Sequence, residues 1–566
     1  MRIDLIQNFP DKWTPNEAQQ FILNELANVL DDTRKFIIIC APTGSGKSMI
    51  AKTLCNTSSY PTKEFQRDCM SGAMYNPKKK CDTANEMSGC AILTCTKSLQ
   101  DQYEAEFSDV NSLKGYANYT CPKSKTGKYD IETCIDTKGG KKSCLNSIKK
   151  VFNGGKKTLN YICGYMYNRA LTDCNRSQIF NYSIFLKRPC NVKYKDFIVC
   201  DEASELETII VQEYTVTINL STLNLLCDEV PATPYGKNKK GDWLNWIDNC
   251  KSLIDDNIKE IEKEQEDANL KWKEKGKKNP LPPSKLPRYK EGKKNEAYYK
   301  KFDFLSKSWD STEFIVDVER SSITFTPYNV DKLVKENLFN FGRKVVLMSA
   351  TIIDHENFAK TLGIKPNDYH YIEAPSMFDP EKAPIKKVGD FGITYANKRE
   401  TLPVISQIAQ KLCEYHSGEK GIIHSHSMEI LEYIKREMSG DKRFLYRSEQ
   451  MTNEDLIKQH KLSSKDTVLV SPSMTHGVDL RGDLGTFQII MKAPFSPMGD
   501  NRIKRKMKED PQWYTNMMLS TLVQACGRCN RTASDESVTY ILDATAWNTI
   551  MRNLNRLPEY FKKRLQ

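Results

Sequence analysis

Residues Lys35 to Cys40 read KFIIIC, a short β-branched apolar run, and lead directly into APTGSGKS, Ala41 to Ser48, and then MIAKTL. A run of that length and branching is a buried strand, and the segment after it has the character of a helix. Strand, glycine-rich loop, helix is the setting in which a loop grips phosphate, so the chain must build an α/β sheet flanked by helices. The residue types supply the chemistry. Gly44 and Gly46 lack a Cβ, so backbone N–H groups approach a phosphate closely. The helix N-terminus adds partial positive charge. Lys47 reaches the β and γ phosphates of a nucleoside triphosphate, and the Ser48 hydroxyl holds Mg²⁺. Ala41, Pro42, Thr43 and Ser45 complete the loop, with Ala41 where the simple pattern has its first glycine.

Downstream, DFIVCDE (Asp196 to Glu202) is a second apolar strand that ends in two adjacent carboxylates. Acids at the carboxyl end of a buried parallel strand sit beside the phosphate loop in such a sheet. There Asp201 binds Mg²⁺ through water, and Glu202 takes a proton from an attacking water. Further strand-then-polar-loop units follow: KVVLMSAT from Lys344, GIIHSHS from Gly421 and TVLVSPSMTHGVDL from Thr467. QACGRCNR, Gln524 to Arg531, places Arg528 and Arg531 at i, i+3, the spacing of one helix face. Two guanidiniums suit a triphosphate, because each binds phosphate bidentately and stays charged.

With these residues in view, the order itself is informative. APTGSGKS, TCTKSLQDQY, CDEAS, LMSAT, GIIHSHS, SPSMTHGVDL and QACGRCNR resemble motifs I, Ia, II, III, IV, V and VI of superfamily 2 helicases. LKGYANYTC, CGYMYNRA, KAPFSP and WYTNMMLSTLVQACGR are similar to segments of its iron–sulfur XPD/DinG family. The resemblance implies two RecA-like lobes with ATP between them, driving 5′→3′ movement on single-stranded DNA and unwinding of tailed or forked duplex. It implies that Lys47, Ser48, Asp201, Glu202, Gln524, Arg528 and Arg531 carry ATP chemistry and that Gln19 reads adenine. It further implies that Thr94, Thr96 and Lys97 touch the DNA backbone. Ser425, Ser427, Thr475, Gly477 and Asp479 fall in segments that contact DNA or couple it to ATP. The family usually has DEAH where this chain has DEAS, so Ser204 replaces a histidine that couples hydrolysis to DNA.

Cys121, Cys134, Cys144 and Cys163 lie between the phosphate loop and DEAS in a Lys- and Gly-rich stretch too polar to be a core. Four thiolates suit a [4Fe–4S] cluster, tetrahedral zinc or no metal, and no CxxC pair decides among them. Family order favours the cluster. Cys174 and Cys190 are spare candidates, and Cys69, Cys81 and Cys90 form a second set that suits a zinc knuckle or no metal. Tyr116, Tyr119, Tyr165 and Tyr167 flank the cysteines and are candidates to stack on bases.

The 566 residues suggest about three or four domains. We expect the first lobe at 1–110, a cysteine-rich domain at 111–165, and the first lobe resuming at 166–230. A charged helical, arch-like insertion follows at 231–321, then the end of the first lobe at 322–353 and the second lobe at 354–566. The insertion reads DNIKEIEKEQEDANLKWKEKGKK and then PLPPSKLPR, a charged helix broken by prolines. Its lysines suit a strand-guiding groove. The net charge of +12 fits a polyanionic partner and equally fits simple solubility. No apolar run is long enough for a membrane span, and MRIDLIQNFPDKW lacks the layout of a signal peptide. A monomeric cytoplasmic motor, bacterial or phage by its Lys- and Asn-rich usage, is the expectation. Two rivals remain: a DNA-stimulated ATPase that remodels nucleoprotein without unwinding, and a scaffold with a degenerate motor. The second is disfavoured by the intact set of Lys47, Asp201, Glu202, Arg528 and Arg531.

Overall fold

The strand that opens the phosphate loop, Phe36–Cys40, is an interior strand, next to one edge, of a sheet buried on both faces. Ile38 and Cys40 enter one core cluster, and Ile37, Ile39 and Ala41 enter the cluster on the opposite face. A parallel strand covered by helices on both sides has this continuous apolar character. The computed structural model describes residues 4–71, 74, 87–119, 121, 163–227, 229–234, 240–277, 281–282, 285–394, 396–448, 451, 453–472, 480, 482–530 and 535–566. Among these, three sheets form.

The first sheet is wholly parallel. Its strands, from one edge to the other, are Tyr369–Glu373, Phe36–Cys40, Gly342–Ser349, Lys195–Asp201, Cys90–Thr94, Ser177–Asn181 and Asn111–Leu113. The order brings the ends of Phe36–Cys40, Gly342–Ser349 and Lys195–Asp201 side by side, although they are far apart in sequence. The second sheet is also parallel, in the order Ile385–Lys387, Val538–Ile541, Phe487–Ile490, Gly421–His424, Val468–Ser471 and Phe444–Tyr446. These are the two RecA-like lobes that the motifs imply. The second lobe begins later than expected, however. Tyr369–Glu373 pairs with Phe36–Cys40, so the change of sheet comes after Glu373 and not at residue 354. YHYIE is an edge strand with polar residues, and its pattern alone does not say which sheet it joins.

The insertion is larger than its charged stretch. A small antiparallel sheet of Val216–Asn219, Ser322–Pro327 and Phe314–Val318 forms its base. Its apolar core draws on residues from Val216 to Phe325, beyond the expected 231–321. The helix Lys240–Glu274 rises from this base and packs against Tyr289–Ser308. Trp243, Trp246, Ile247, Cys250, Ile254 and Ile261 bury one face at helical spacing, and no residue is buried after Ile261. Near that point Arg288, at the start of the second helix, links the pair through Glu260 and Glu264 and is braced by Glu291 of its own helix.

The second lobe grips the first lobe and this base through the helix Asn501–Glu509. Arg502 donates to Glu207 and to the carbonyls of Pro327 and Tyr328, and Trp513 also donates to Glu207 (2.6 Å). Arg505 pairs with Glu313, while its guanidinium lies 4.1 Å from the centre of the Tyr328 ring. No described helix is long and apolar enough to cross a membrane.

Candidate active site

The loop after Cys40 bends sharply. Gly44 and Gly46 both have φ of 79°, the left-handed region open to glycine, and the helix Lys47–Thr57 starts from Gly46. Ser45 closes the turn by donating to the Pro42 carbonyl (2.8 Å). The Lys47 ammonium lies folded into the loop, donating to the carbonyls of Ala41 (3.2 Å) and Pro42 (3.3 Å). Ser48 opens the helix beside it, half-buried. An ammonium inside a ring of main-chain groups at a helix N-terminus is what a polyphosphate requires.

Asp201 ends its strand buried, with its carboxylate accepting from the Tyr103 hydroxyl (3.1 Å) and the Glu202 N–H (3.1 Å). Burial, and then the neighbouring Glu202 carboxylate, push Asp201 up to about 6 against the pull of Lys47. A buried acid held above its ordinary range fits a divalent cation, whose charge offsets the desolvation. Glu202 adopts φ 52°, a strained backbone for a residue with a side chain, which turns its carboxylate off the strand axis. Ser349 then donates to Glu202 (3.2 Å). Ser349 also meets the Ser204 hydroxyl (2.9 Å), and Thr351 meets Ser204 (3.0 Å). Three hydroxyls thus join the CDEAS and SAT segments behind Glu202. Ser204 fills the position of the usual histidine as a member of this cluster.

Across the cleft, Gln524 and Arg528 are buried, and Thr43 donates to the carbonyls of Gly527 (3.4 Å) and Asn530 (3.3 Å). Pro42, Thr43, Ala350, Thr351, Gln524 and Arg564 are among the residues lining a cavity of about 20 Å³ there, room for one or two waters. The expectation that Arg528 and Arg531 share a helix face is corrected. The helix Pro511–Cys526 ends before Arg528, because Gly527 turns its N–H back to Val523 and Gln524. Arg531 lies outside the described residues, as do Thr475, Gly477 and Asp479.

The candidate nucleic-acid residues divide. Lys97 is exposed, and Thr96 and Ser427 are half-buried at helix N-termini. Thr94 and Ser425 are fully buried, their hydroxyls donating to the carbonyls of Thr96 (3.3 Å) and Ser427 (3.1 Å). Those two side chains shape the loops and present no surface.

Cys121 and Cys163 are both buried, whereas Cys134 and Cys144 lie outside the described residues. Among the described residues no group of three or more metal-ligating side chains forms. The second cysteine set does not come together where it is described. Cys69 packs with Phe65, Met74 and Val192, while Cys90 is a core residue of the first sheet; Cys81 is outside the described residues. The Tyr165 ring packs edge-on against Tyr116 (5.3 Å) and Tyr119 (5.8 Å), so three of the four candidate tyrosines form one cluster.

Residues 410–564 match the family described as helicase C-terminal domain. No curated protein sequence matches the chain. Solved structures similar to it include an XPD helicase, with 15% identity, 95% of this chain and 98% of that chain covered, and a TM-score of 0.56. The structure of S. tokodaii Xpd4 is also similar, with 15% identity, coverage of 97% and 99%, and a TM-score of 0.53. The fold is therefore that of these XPD structures, with two RecA-like lobes, and it agrees with the resemblance read from the motifs.

Proposed function

We propose that this chain is an ATP-dependent DNA helicase that moves 5′→3′ on single-stranded DNA and unwinds tailed or forked duplex as a monomer. The observation that carries the reading is convergence: the phosphate loop lies beside a buried acidic strand end and, through Thr43, touches the Gln524–Asn530 segment of the facing lobe. In this reading Lys47 and the loop N–H groups bind the phosphates. Ser48 and Asp201 hold Mg²⁺, which supplies charge neutralisation on the phosphates. Glu202, fixed by Ser349, accepts the proton of the attacking water as ATP is cleaved to ADP and phosphate. Arg528 and Arg531 from the facing lobe stabilise the charge that develops in the transition state, with Gln524 beside them. Lobe motion then moves a strand past Thr96, Lys97 and Ser427, and Thr475 of motif V contributes to DNA binding. Cys121, Cys134, Cys144 and Cys163 are the ligand set for a [4Fe–4S] cluster, with zinc as the alternative.

Strand displacement on 5′-tailed and 3′-tailed duplexes tests the reading. Opening of the 5′-tailed substrate alone is expected, and equal opening of both overturns the polarity. DNA-stimulated hydrolysis without displacement on either would make the chain a translocase that remodels nucleoprotein. Iron and acid-labile sulfide in anaerobically purified protein are expected; stoichiometric zinc in colourless protein would replace the cluster.

A further inference from the structure

Away from the nucleotide cleft, two thiols meet between helices that flank the cysteine-rich segment in sequence. The helix Lys63–Ser71 packs against the helix Gly164–Cys174, which starts from Cys163. Cys69 lies on the inner face of the first helix, 1% exposed, among Phe65, Met74 and Val192. Cys174 ends the second helix, half-buried against the same group. The helices are tied at this point. The Cys174 thiol donates to the Gln66 carbonyl (3.4 Å), and Gln66 Nε2 donates to the Cys174 carbonyl (3.5 Å). Gln66 and Cys69 stand at i, i+3, so this contact brings Cys174 onto the face that carries Cys69. There the thiols of Cys69 and Cys174 hydrogen-bond to one another.

The two sulfurs differ in the way a reactive pair requires. Cys69 is sealed from solvent. Its hydrogen bond to Cys174, then burial and the nearby Asp173 carboxylate, hold its thiol above the ordinary range. Cys174 reaches solvent, so an oxidant meets it first. The buried Lys195 ammonium, pushed down to about 8 by burial, stands 5.9 Å from the centre of the Phe65 ring and favours negative charge on the Cys69 sulfur. We propose that Cys69 and Cys174 form a redox-modification site, at which a peroxide converts the pair to an intramolecular disulfide. The Cys174 thiolate attacks the peroxide, the O–O bond breaks, and Cys174 becomes a sulfenic acid as hydroxide leaves. The Cys69 sulfur then attacks the Cys174 sulfur, the S–O bond breaks, and water leaves with the Cys69 proton. In sum, two thiols and one hydrogen peroxide give one disulfide and two waters. Cys121, Cys134, Cys144 and Cys163 all lie between positions 69 and 174, so the new bond closes one covalent loop around the candidate cluster ligands and consumes none of them. The inference is independent of the nucleotide site and of which metal those ligands hold.

Oxidation of the full chain, purified anaerobically, provides the test. After a short exposure to hydrogen peroxide the remaining thiols are blocked with N-ethylmaleimide, and the chain is digested and mapped by mass spectrometry without reductant. A peptide joining Cys69 to Cys174 is expected in most molecules, and dithiothreitol should release both halves. Cys69→Ala removes the second thiol and should stop the reaction at the sulfenic acid. Dimedone should then label Cys174 about tenfold more than in the wild type, where the disulfide forms first. Cys174→Ser should leave Cys69 reduced at the same dose of peroxide. Both variants should keep the wild-type metal content. Cys174 oxidised to the sulfinic acid beside an unlinked, alkylated Cys69 would overturn the proposal, as would Cys174 bonded to any other cysteine. Equal dimedone labelling of Cys174 in the wild type and in Cys69→Ala would overturn it by showing that Cys69 does not resolve the intermediate. Loss of metal in Cys174→Ser would overturn it by making Cys174 a ligand.

Discussion

The two parallel sheets end in different ways at the cleft. In the first lobe the polar groups at the strand ends are tied down: Asp201 by Tyr103 and its own loop, the Asp201 carbonyl by the Tyr182 hydroxyl (2.9 Å), and Glu202 by Ser349. In the second lobe the central strand Gly421–His424 runs into two imidazoles, His424 buried against the Gln488 side chain and His426 half-buried with its ring 5.8 Å away. The Gln488 carboxamide beside His424 spends its N–H groups on the Cys526 carbonyl (2.8 Å) and the Thr539 hydroxyl (2.8 Å). Burial pushes His424 down to about 3 and His426 to about 4. His426 also sits at φ 50°. One lobe holds its reactive groups in a bonded frame, whereas the other places two neutral imidazoles at the end of its central strand. Both strand ends carry a left-handed residue, Glu202 in the first lobe and His426 in the second, so the contrast lies in the bonding around them.

Substitutions should expose this asymmetry, the largest effect falling on the first lobe. Lys47→Ala should lower ATP turnover on the order of 10³-fold with the fold intact, measured by phosphate release. A variant with near-normal turnover would remove the first lobe from the chemistry. The second lobe should show its character in acid. Both imidazoles have folded pKa values below the unfolded value of about 6.5, so the unfolded chain binds more protons below that pH. Their stability contribution is complete above about 6.5 and is lost as the pH falls toward 4. At pH 5 the loss is about 2–4 kcal/mol for the pair, visible as a lowered thermal midpoint. The double variant His424→Gln, His426→Gln should flatten that dependence, and an unchanged slope would break the contrast. Arg502→Ala removes a link between the lobes and leaves the half-buried Glu207 with Trp513. It should cost about 3 kcal/mol in denaturant titration. Ser204→Ala removes one hydroxyl behind Glu202. It should reduce kcat about fivefold with little change in KM, the worth of one hydrogen bond.

Much of this was legible in the sequence where the determinant is local. KFIIIC and DFIVCDE announce buried strands, and Gly44 and Gly46 announce a phosphate loop. The distance from those segments to the later motifs is bridged by sheet order, which local pattern does not contain. Tyr103 reads as an ordinary helical aromatic, and only the pairing of Cys90–Thr94 with Lys195–Asp201 explains its hold on Asp201. The spacing of Arg528 and Arg531 suggested one helix, whereas Gly527 had already ended it. Thr94 and Ser425 have residue types suited to a DNA contact, but burial withdraws them from it. YHYIE joined the first sheet because an edge position tolerates its polar residues.

The long helix of the insertion has a mechanical consequence. Lys240–Glu274 spans 35 residues, or about 50 Å, and is buried only as far as Ile261. Its base is clamped to the second lobe through Arg505 and Glu313, so it is a cantilever whose fulcrum lies at the junction of the two lobes. A turn of about 5° at that fulcrum carries the far end about 4 Å, more than the rise of two helical residues. Small displacements at the cleft are thereby magnified into travel at the tip.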